Sequence, residues 1–187
     1  VADDAENNKV DLSAVTISGD VVGGYGVNAK NNIVTLRGTT VAGTVYGGRL
    51  TTGASAAVAD TNVLNVYDMG TQVGYFEDVS NLNFYLSPQS DPARTMLTTT
   101  QARTKDISNT TIGIEINGDH APIKNGDVVS LIKLPDAQNL VTASNLASNT
   151  YQTTQGVTLN YTFGLETRGA LANQPLTQNE LIARVKS

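Results

Sequence analysis

The stretch NKVDLSAVTISGDVVGG, residues 8–24, lies over NIVTLRGTTVAGTVYGG, residues 32–48, when the chain is shifted along itself by 24 positions. Val10 falls on Val34, Leu12 on Leu36, Ile17 on Val41, Gly19 on Gly43, Val21 on Val45, and Gly23-Gly24 on Gly47-Gly48. Each copy reads as an apolar-x-apolar strand, a short break, a second strand ending in Gly, and a third short strand running into Gly-Gly. A unit of about 20–30 residues made of short strands and Gly or Asn turns is what one coil of a parallel β-helix needs. In such a coil alternate side chains point inward and stack on the equivalent residue of the next pass. Val10/Val34, Leu12/Leu36 and Val21/Val45 are then core columns. The aligned glycines mark corners that demand either positive φ or close backbone approach. Asn8, Asn32 and Asn62 each precede a strand, where stacked amides can hydrogen-bond from pass to pass.

A third, degenerate copy, NVLNVYDMGTQVGYF, begins at Asn62, and residues 48–61 are small and polar enough to bulge from a corner as a loop. VSNLNFYL, residues 79–86, alternates Val79, Leu82, Phe84 and Leu86 with polar partners and reads as part of a fourth coil. An antiparallel sandwich with a strand every 8–12 residues accounts less well for a register that ends twice in the same Gly-Gly.

After SPQSDPAR, residues 87–94, the 24-residue register is lost. Pro88 and Pro92 interrupt any strand there. MLTTT, DISNTTIGIEING, NGDVVSLIKL, GVTLNYTFGLET and ELIARV follow as short alternating strands. Asn117-Gly118 and Asn125-Gly126 are tight-turn dipeptides and predict antiparallel hairpins. The expected fold class is therefore all-β: a right-handed parallel β-helix with rungs of about 24 residues over 1–86, three to four coils in all, and a hairpin-rich cap of the same solenoid over 87–187.

The repeated GDVVGGY and GTVYGGR, together with VSNLNFYLSP, TMLTTT, DISNTTIGI, NGDVVSLIKL and the terminal NELIARV, resemble the C-terminal passenger region of bacterial type V autotransporters. The resemblance covers nearly the whole chain. It implies an autochaperone-like β-helix terminus, exposed at the bacterial cell surface or secreted, that acts as a stalk and as the nucleus on which upstream rungs fold. It also implies two partners: those upstream rungs, and an outer-membrane β-barrel belonging to the same parent polypeptide. The chain departs from a complete member of that family by stopping at Ser187, without alternating membrane strands or a final aromatic.

Composition bounds the alternatives. At 187 residues the chain holds one or two folding units. Thr, Asn and Gly are abundant, charged residues make up 16%, and Trp is absent, a profile suited to β-structure with tight turns. A net charge of -5 with twelve scattered basic residues gives no footprint for nucleic acid. No stretch is long and apolar enough to cross a bilayer as a helix, and the start, VADDAENN, has no signal-peptide pattern, so a soluble piece is expected. Without cysteine there is no disulfide frame and no thiolate nucleophile.

The residues carry little that reads as catalysis, and a non-enzyme is expected. His120 is the only histidine, lies in INGDHAPI and has no G-x-S-x-G nucleophile to serve. A carbohydrate-cleaving helix needs clustered carboxylates. Asp20 instead aligns with Thr44, and Glu77 and Asp78, as strand neighbours, are expected on opposite faces. Asp119 and Asp127 follow Asn-Gly without calcium-loop spacing. The glycine pairs lack the Lys-Ser/Thr of a phosphate loop. No metal, cofactor or catalytic residue is expected. Tyr25, Tyr46 and Arg49, near the Gly-Gly corners and the loop at 49–61, are the candidate surface contacts for a host glycan or protein. Self-association by end-to-end stacking is the other alternative.

Overall fold

A computed structural model describes residues 4–51, 61–87, 94–118, 123–155, 159–169 and 178–186. The described chain is all-β apart from one 3₁₀ turn at Leu146–Ser148. Its strands are β1 (Lys9–Ser13), β2 (Thr16–Ile17), β3 (Val21–Val22), β4 (Tyr25–Gly26), β5 (Ile33–Arg37), β6 (Thr40–Tyr46), β7 (Arg49–Leu50), β8 (Val63–Tyr67) and β9 (Thr71–Glu77). They continue with β10 (Asn81–Leu86), β11 (Thr95–Thr99), β12 (Lys105–Asp106), β13 (Thr111–Ile116), β14 (Val128–Lys133), β15 (Leu140–Val141), β16 (Thr150–Gln155), β17 (Leu159–Arg168) and β18 (Glu180–Val185).

The chain alternates between two large sheets. A parallel sheet has the order β1-β5-β8-β10-β13. The other runs β2-β6-β9-β11-β14, parallel throughout, with β3 also on β6, and then continues β18-β17-β16 in antiparallel pairing. Two small parallel pairs, β4-β7 and β12-β15, join the passes.

The pairing of β1 with β5 puts Val10 on Val34 and Leu12 on Leu36. Ile17 meets Val41 and Val21 meets Val45, which is the register read from the repeat. Leu64, Leu82 and Ile112 extend the first column, and Val66, Phe84 and Ile114 the second. From β5 onward these side chains are buried, facing Val41, Val45, Val73, Phe76, Leu97 and Ile132 of the second sheet. Each such column removes apolar area from water at about 25 cal/mol per Å², roughly 1.5–3 kcal/mol for one large side chain.

Parallel pairing continues past residue 94, although the 24-residue period does not. The interval between hydrogen-bonded neighbours is 24 residues from Asn8 to Asn32, 30 from Asn32 to Asn62, 18 from Asn65 to Asn83 and 35 from Thr95 to Ser130. The inward columns persist while the sequence spacing drifts.

The Asn-Gly expectation needs correction. Gly118 and Gly126 do take positive φ, +85° and +90°, but neither dipeptide closes a two-strand hairpin. β13 pairs with β10, and β14 pairs with β11 and β18. The turns redirect the chain from one sheet to the other, because the open partner for each strand is the previous pass rather than its sequence neighbour. Antiparallel pairing comes later, where β16, β17 and β18 meet in order.

The Gly-Gly corners serve close approach. A Cβ on Gly23 would strike the Gly47 carbonyl, and one on Gly47 would strike the Asp78 carbonyl. Neither glycine has positive φ. Beside them runs the asparagine ladder. Asn32 Oδ1 accepts from the Asn8 N–H and Nδ2 at 3.0 Å each, and the Asn32 N–H and Nδ2 donate to Asn62 Oδ1 at 3.0 and 3.2 Å. The second amide hydrogens go to carbonyls one pass away, Asn32 Nδ2 to Ala5 O and Asn62 Nδ2 to Ala29 O, both 2.9 Å. Asn32 and Asn62 are fully buried, and the stacking gives each amide's donors and acceptor partners on neighbouring passes. Ser80 replaces it on the next pass, its N–H and Oγ donating to Asn62 O at 3.0 Å.

Candidate functional site

The three residues expected at the Gly-Gly corners do come together. Tyr25 opens β4 opposite Arg49 of β7, and the Arg49 guanidinium lies 4.8 Å from the centre of the Tyr46 ring. Asp20 holds the same guanidinium at 3.7 Å. Tyr25 is the most exposed large hydrophobic residue among the described residues, at 59%. Arg49 is thus already shared between a ring and a carboxylate, an arrangement worth under about 1 kcal/mol at an exposed position. Residues 52–60 of the expected loop lie outside the described residues, as do Asp119 and His120.

A second cluster was not foreseen. Glu77 ends β9 and Asp78 follows at φ +56°, so the two are not strand neighbours on opposite faces. The turn lets both approach the cations brought in by the next pass. Arg103 donates to Glu77 Oε1 at 2.8 Å and lies 4.0 Å over the Tyr75 ring. Lys105 donates to Phe76 O at 2.8 Å. Burial lowers the Lys105 ammonium below its ordinary range, against the pull of Glu77 and Asp78. Burial likewise raises the Asp78 carboxyl, helped by Glu77. A pocket of about 320 Å³ opens among Asp78, Ser80, Lys105 and Asp106. Its lining carries the Asp78 and Asp106 carboxylates against the Lys105 ammonium, and the adjoining Glu77 is paired with Arg103. No sequence signal pointed to it, because Glu77 and Arg103 lie 26 residues apart.

Outward columns form a third feature. On the free face of the β1-β13 sheet, Arg37 lies 3.6 Å over Tyr67, and Tyr67 stacks on Tyr85 at 4.1 Å with rings parallel to within 1°. Glu115 follows Tyr85 in the register. Burial, with Glu115 and Tyr67 adding to it, pushes the Tyr85 hydroxyl up to about 12. The ring faces are spent on each other and on Arg37, which leaves edges rather than faces toward solvent. Beside them Asn83 Nδ2 donates to Asn65 Oδ1 at 3.0 Å.

The antiparallel end carries the densest ion pairing. Arg168 clasps Glu180 through Nε at 2.6 Å and Nη2 at 2.8 Å, and Ser130 Oγ donates to the same carboxylate at 2.5 Å. Burial alone would raise the Glu180 carboxyl, but the hydrogen bonds from Arg168 and Ser130 hold it below its usual range. This ties β14, β17 and β18 together. Arg184 forms the same kind of fork on Glu166 at 3.0 and 3.2 Å. Asp127 closes its own turn, Oδ2 accepting the Lys124 N–H at 2.8 Å. Beside β13, a cleft of about 940 Å³ extends to β16 and β17.

Among the described residues no three His, Cys, Asp or Glu side chains converge as a metal site. No protein-family model, curated protein or solved structure matches the chain.

Proposed function

We propose that the chain is a right-handed parallel β-helix with an antiparallel terminus, and that it acts as a non-catalytic stalk and as the capping nucleus for coils that precede it. The single observation behind this reading is the change of pairing at β14. Every earlier strand of its sheet adds to the previous one in parallel, whereas the far edge of β14 is taken by β18 running the other way. An open parallel edge invites unwanted addition, and a terminal unit that occupies it keeps a stacked protein soluble. A coil also gains most of its stability from its neighbour, so a preformed end gives the next coil a surface to fold on.

Right-handedness follows from the strong preference of parallel crossovers. The bacterial surface, the type V passenger assignment and the partner barrel rest on the resemblance of the strand series described above. Adhesion through Tyr25, Tyr46 and Arg49 is the second reading, supported by the exposure of Tyr25. End-to-end stacking is less favoured at the C-terminal end, since β18 already fills the β14 edge.

Deleting residues 134–187 from a longer parent tests the proposal. The expected result is an upstream region that becomes protease-sensitive at the cell surface. Normal protease resistance of that region would contradict it.

A further inference from the structure

Asn-Gly occurs twice in the sequence, and in both places Asp follows: Asn117-Gly118-Asp119 and Asn125-Gly126-Asp127. Asparagine is thermolabile, because its side-chain carbonyl carbon can be attacked by the backbone nitrogen of the next residue. A following Gly puts no side chain in the way. The ring that forms has five members, so the two groups react at the high effective concentration of an intramolecular step. Local sequence therefore treats the two sites alike.

Their surroundings differ. Both asparagines and both glycines are exposed, and the glycines take similar positive φ, +85° at Gly118 and +90° at Gly126. At the second site the attacking group is tied down, since the Gly126 N–H donates to Val185 O at 2.9 Å. The same turn is closed by the Asp127 N–H on Lys124 O at 3.0 Å and the Lys124 N–H on Asp127 Oδ2 at 2.8 Å. β18 returns a further bond from the Val185 N–H to Asp127 O at 2.9 Å. The Gly126 nitrogen must lose its proton to attack Asn125, which breaks its bond to β18. At the first site the bond of 2.7 Å from the Asn117 N–H to Leu86 O anchors the asparagine itself. Among the described residues the Gly118 N–H donates to no acceptor, and the long contact of 3.5 Å from Gln155 Nε2 falls on the Gly118 carbonyl instead. The nucleophile is held at one site and free at the other.

We infer that Asn117 is a site of spontaneous covalent modification in the folded protein, and that Asn125, in the same tripeptide, is protected. The Gly118 nitrogen gives its proton to hydroxide and bonds to Cγ of Asn117, and the side-chain nitrogen takes up a proton and leaves as ammonia. Water then opens the succinimide at either carbonyl, giving aspartate or isoaspartate, so one water is consumed and one ammonia released. Each event adds a carboxylate just beyond Glu115, and isoaspartate also lengthens the main chain by one carbon where β13 ends. The inference needs only the two turns and does not depend on the stalk reading.

Ageing the intact chain in warm, mildly alkaline buffer and mapping its peptides by mass spectrometry tests it. Asn117 should convert about tenfold or more faster than Asn125, because one hydrogen bond alone accounts for roughly a two- to tenfold difference and the second turn holds several. In concentrated urea the two rates should converge to within about twofold, since the tripeptides are identical. Three outcomes overturn the inference: Asn117 failing to convert in the folded chain; Asn125 converting as fast as Asn117 there; or a ratio that persists in urea, which assigns the difference to flanking sequence rather than to the fold.

Discussion

The parallel passes from β1 to β14 and the antiparallel end from β16 to β18 solve the same problem with different chemistry. In the passes, the fully buried amides Asn32 and Asn62 stack in register below the exposed Asn8, among buried Thr and Ser hydroxyls. In the end region a buried ion joins them, Glu180 held by Arg168 and Ser130, beside the amides Gln155 and Asn179, whose partners include the Tyr161 hydroxyl and the Leu134 carbonyl. The difference follows from what each neighbour can supply. A repeating pass offers the same residue one layer on, so an amide that both donates and accepts can pair with its own copy, as Asn32 does with Asn8 and Asn62. The antiparallel strands offer no such copy, so the buried groups there have partners of a different kind, the Arg168 fork for Glu180 and the Tyr161 hydroxyl for Gln155.

Breaking the shared core should have the largest effect. Phe84 is fully buried in the second inward column, and Phe84→Ala should cost about 3–5 kcal/mol in urea unfolding. Because the column is continuous, the loss should lower protection in both β8 and β13. Asn32→Ala should cost about 1–3 kcal/mol, since it leaves Asn8 donors and the Ala5 carbonyl without their partner. Its effect should centre on the first passes and leave β16–β18 little changed, measurable as amide exchange by region.

Glu180→Gln should cost about 1–2 kcal/mol, less than a fully buried pair because Arg168 is half exposed. Here pH separates the regions. The Glu180 carboxyl lies below its unfolded value in the folded chain, so its contribution is complete above about pH 4.3. It is lost as pH falls through the folded value, where the unfolded state takes up the proton first. The wild type should therefore lose more stability on acidification through that window than Glu180→Gln does. The smallest effect belongs to Arg49→Ala, under about 1 kcal/mol and reduced further by salt.

The same contrast explains what could be read from the sequence. Val10/Val34 and Leu12/Leu36 were legible because two consecutive passes share one interval and one face. The asparagine ladder was legible because Asn recurs before the strand. Past residue 94 the inward columns continue with Ile112 and Ile114, but the interval lengthens and no shift of the sequence aligns them. The Asn117-Gly118 turn was visible while its partners were not, since a turn dipeptide encodes local φ and says nothing about which strand is free to pair. Arg103 with Glu77, and Arg168 with Glu180, stayed hidden because single charges far apart in sequence carry no mark of their pairing. Tyr25, Tyr46 and Arg49 were found through their nearness to the Gly-Gly corners, and their contact with Asp20 was not.

The dependence of the passes on their end is measured most directly by amide exchange in a chain stopped after residue 133, compared with the intact chain. The account predicts that amides of β5, β8 and β10 lose protection by about a hundredfold or more when β16–β18 are absent. Unchanged protection in those strands would show that the passes fold by themselves, and would contradict a nucleating end.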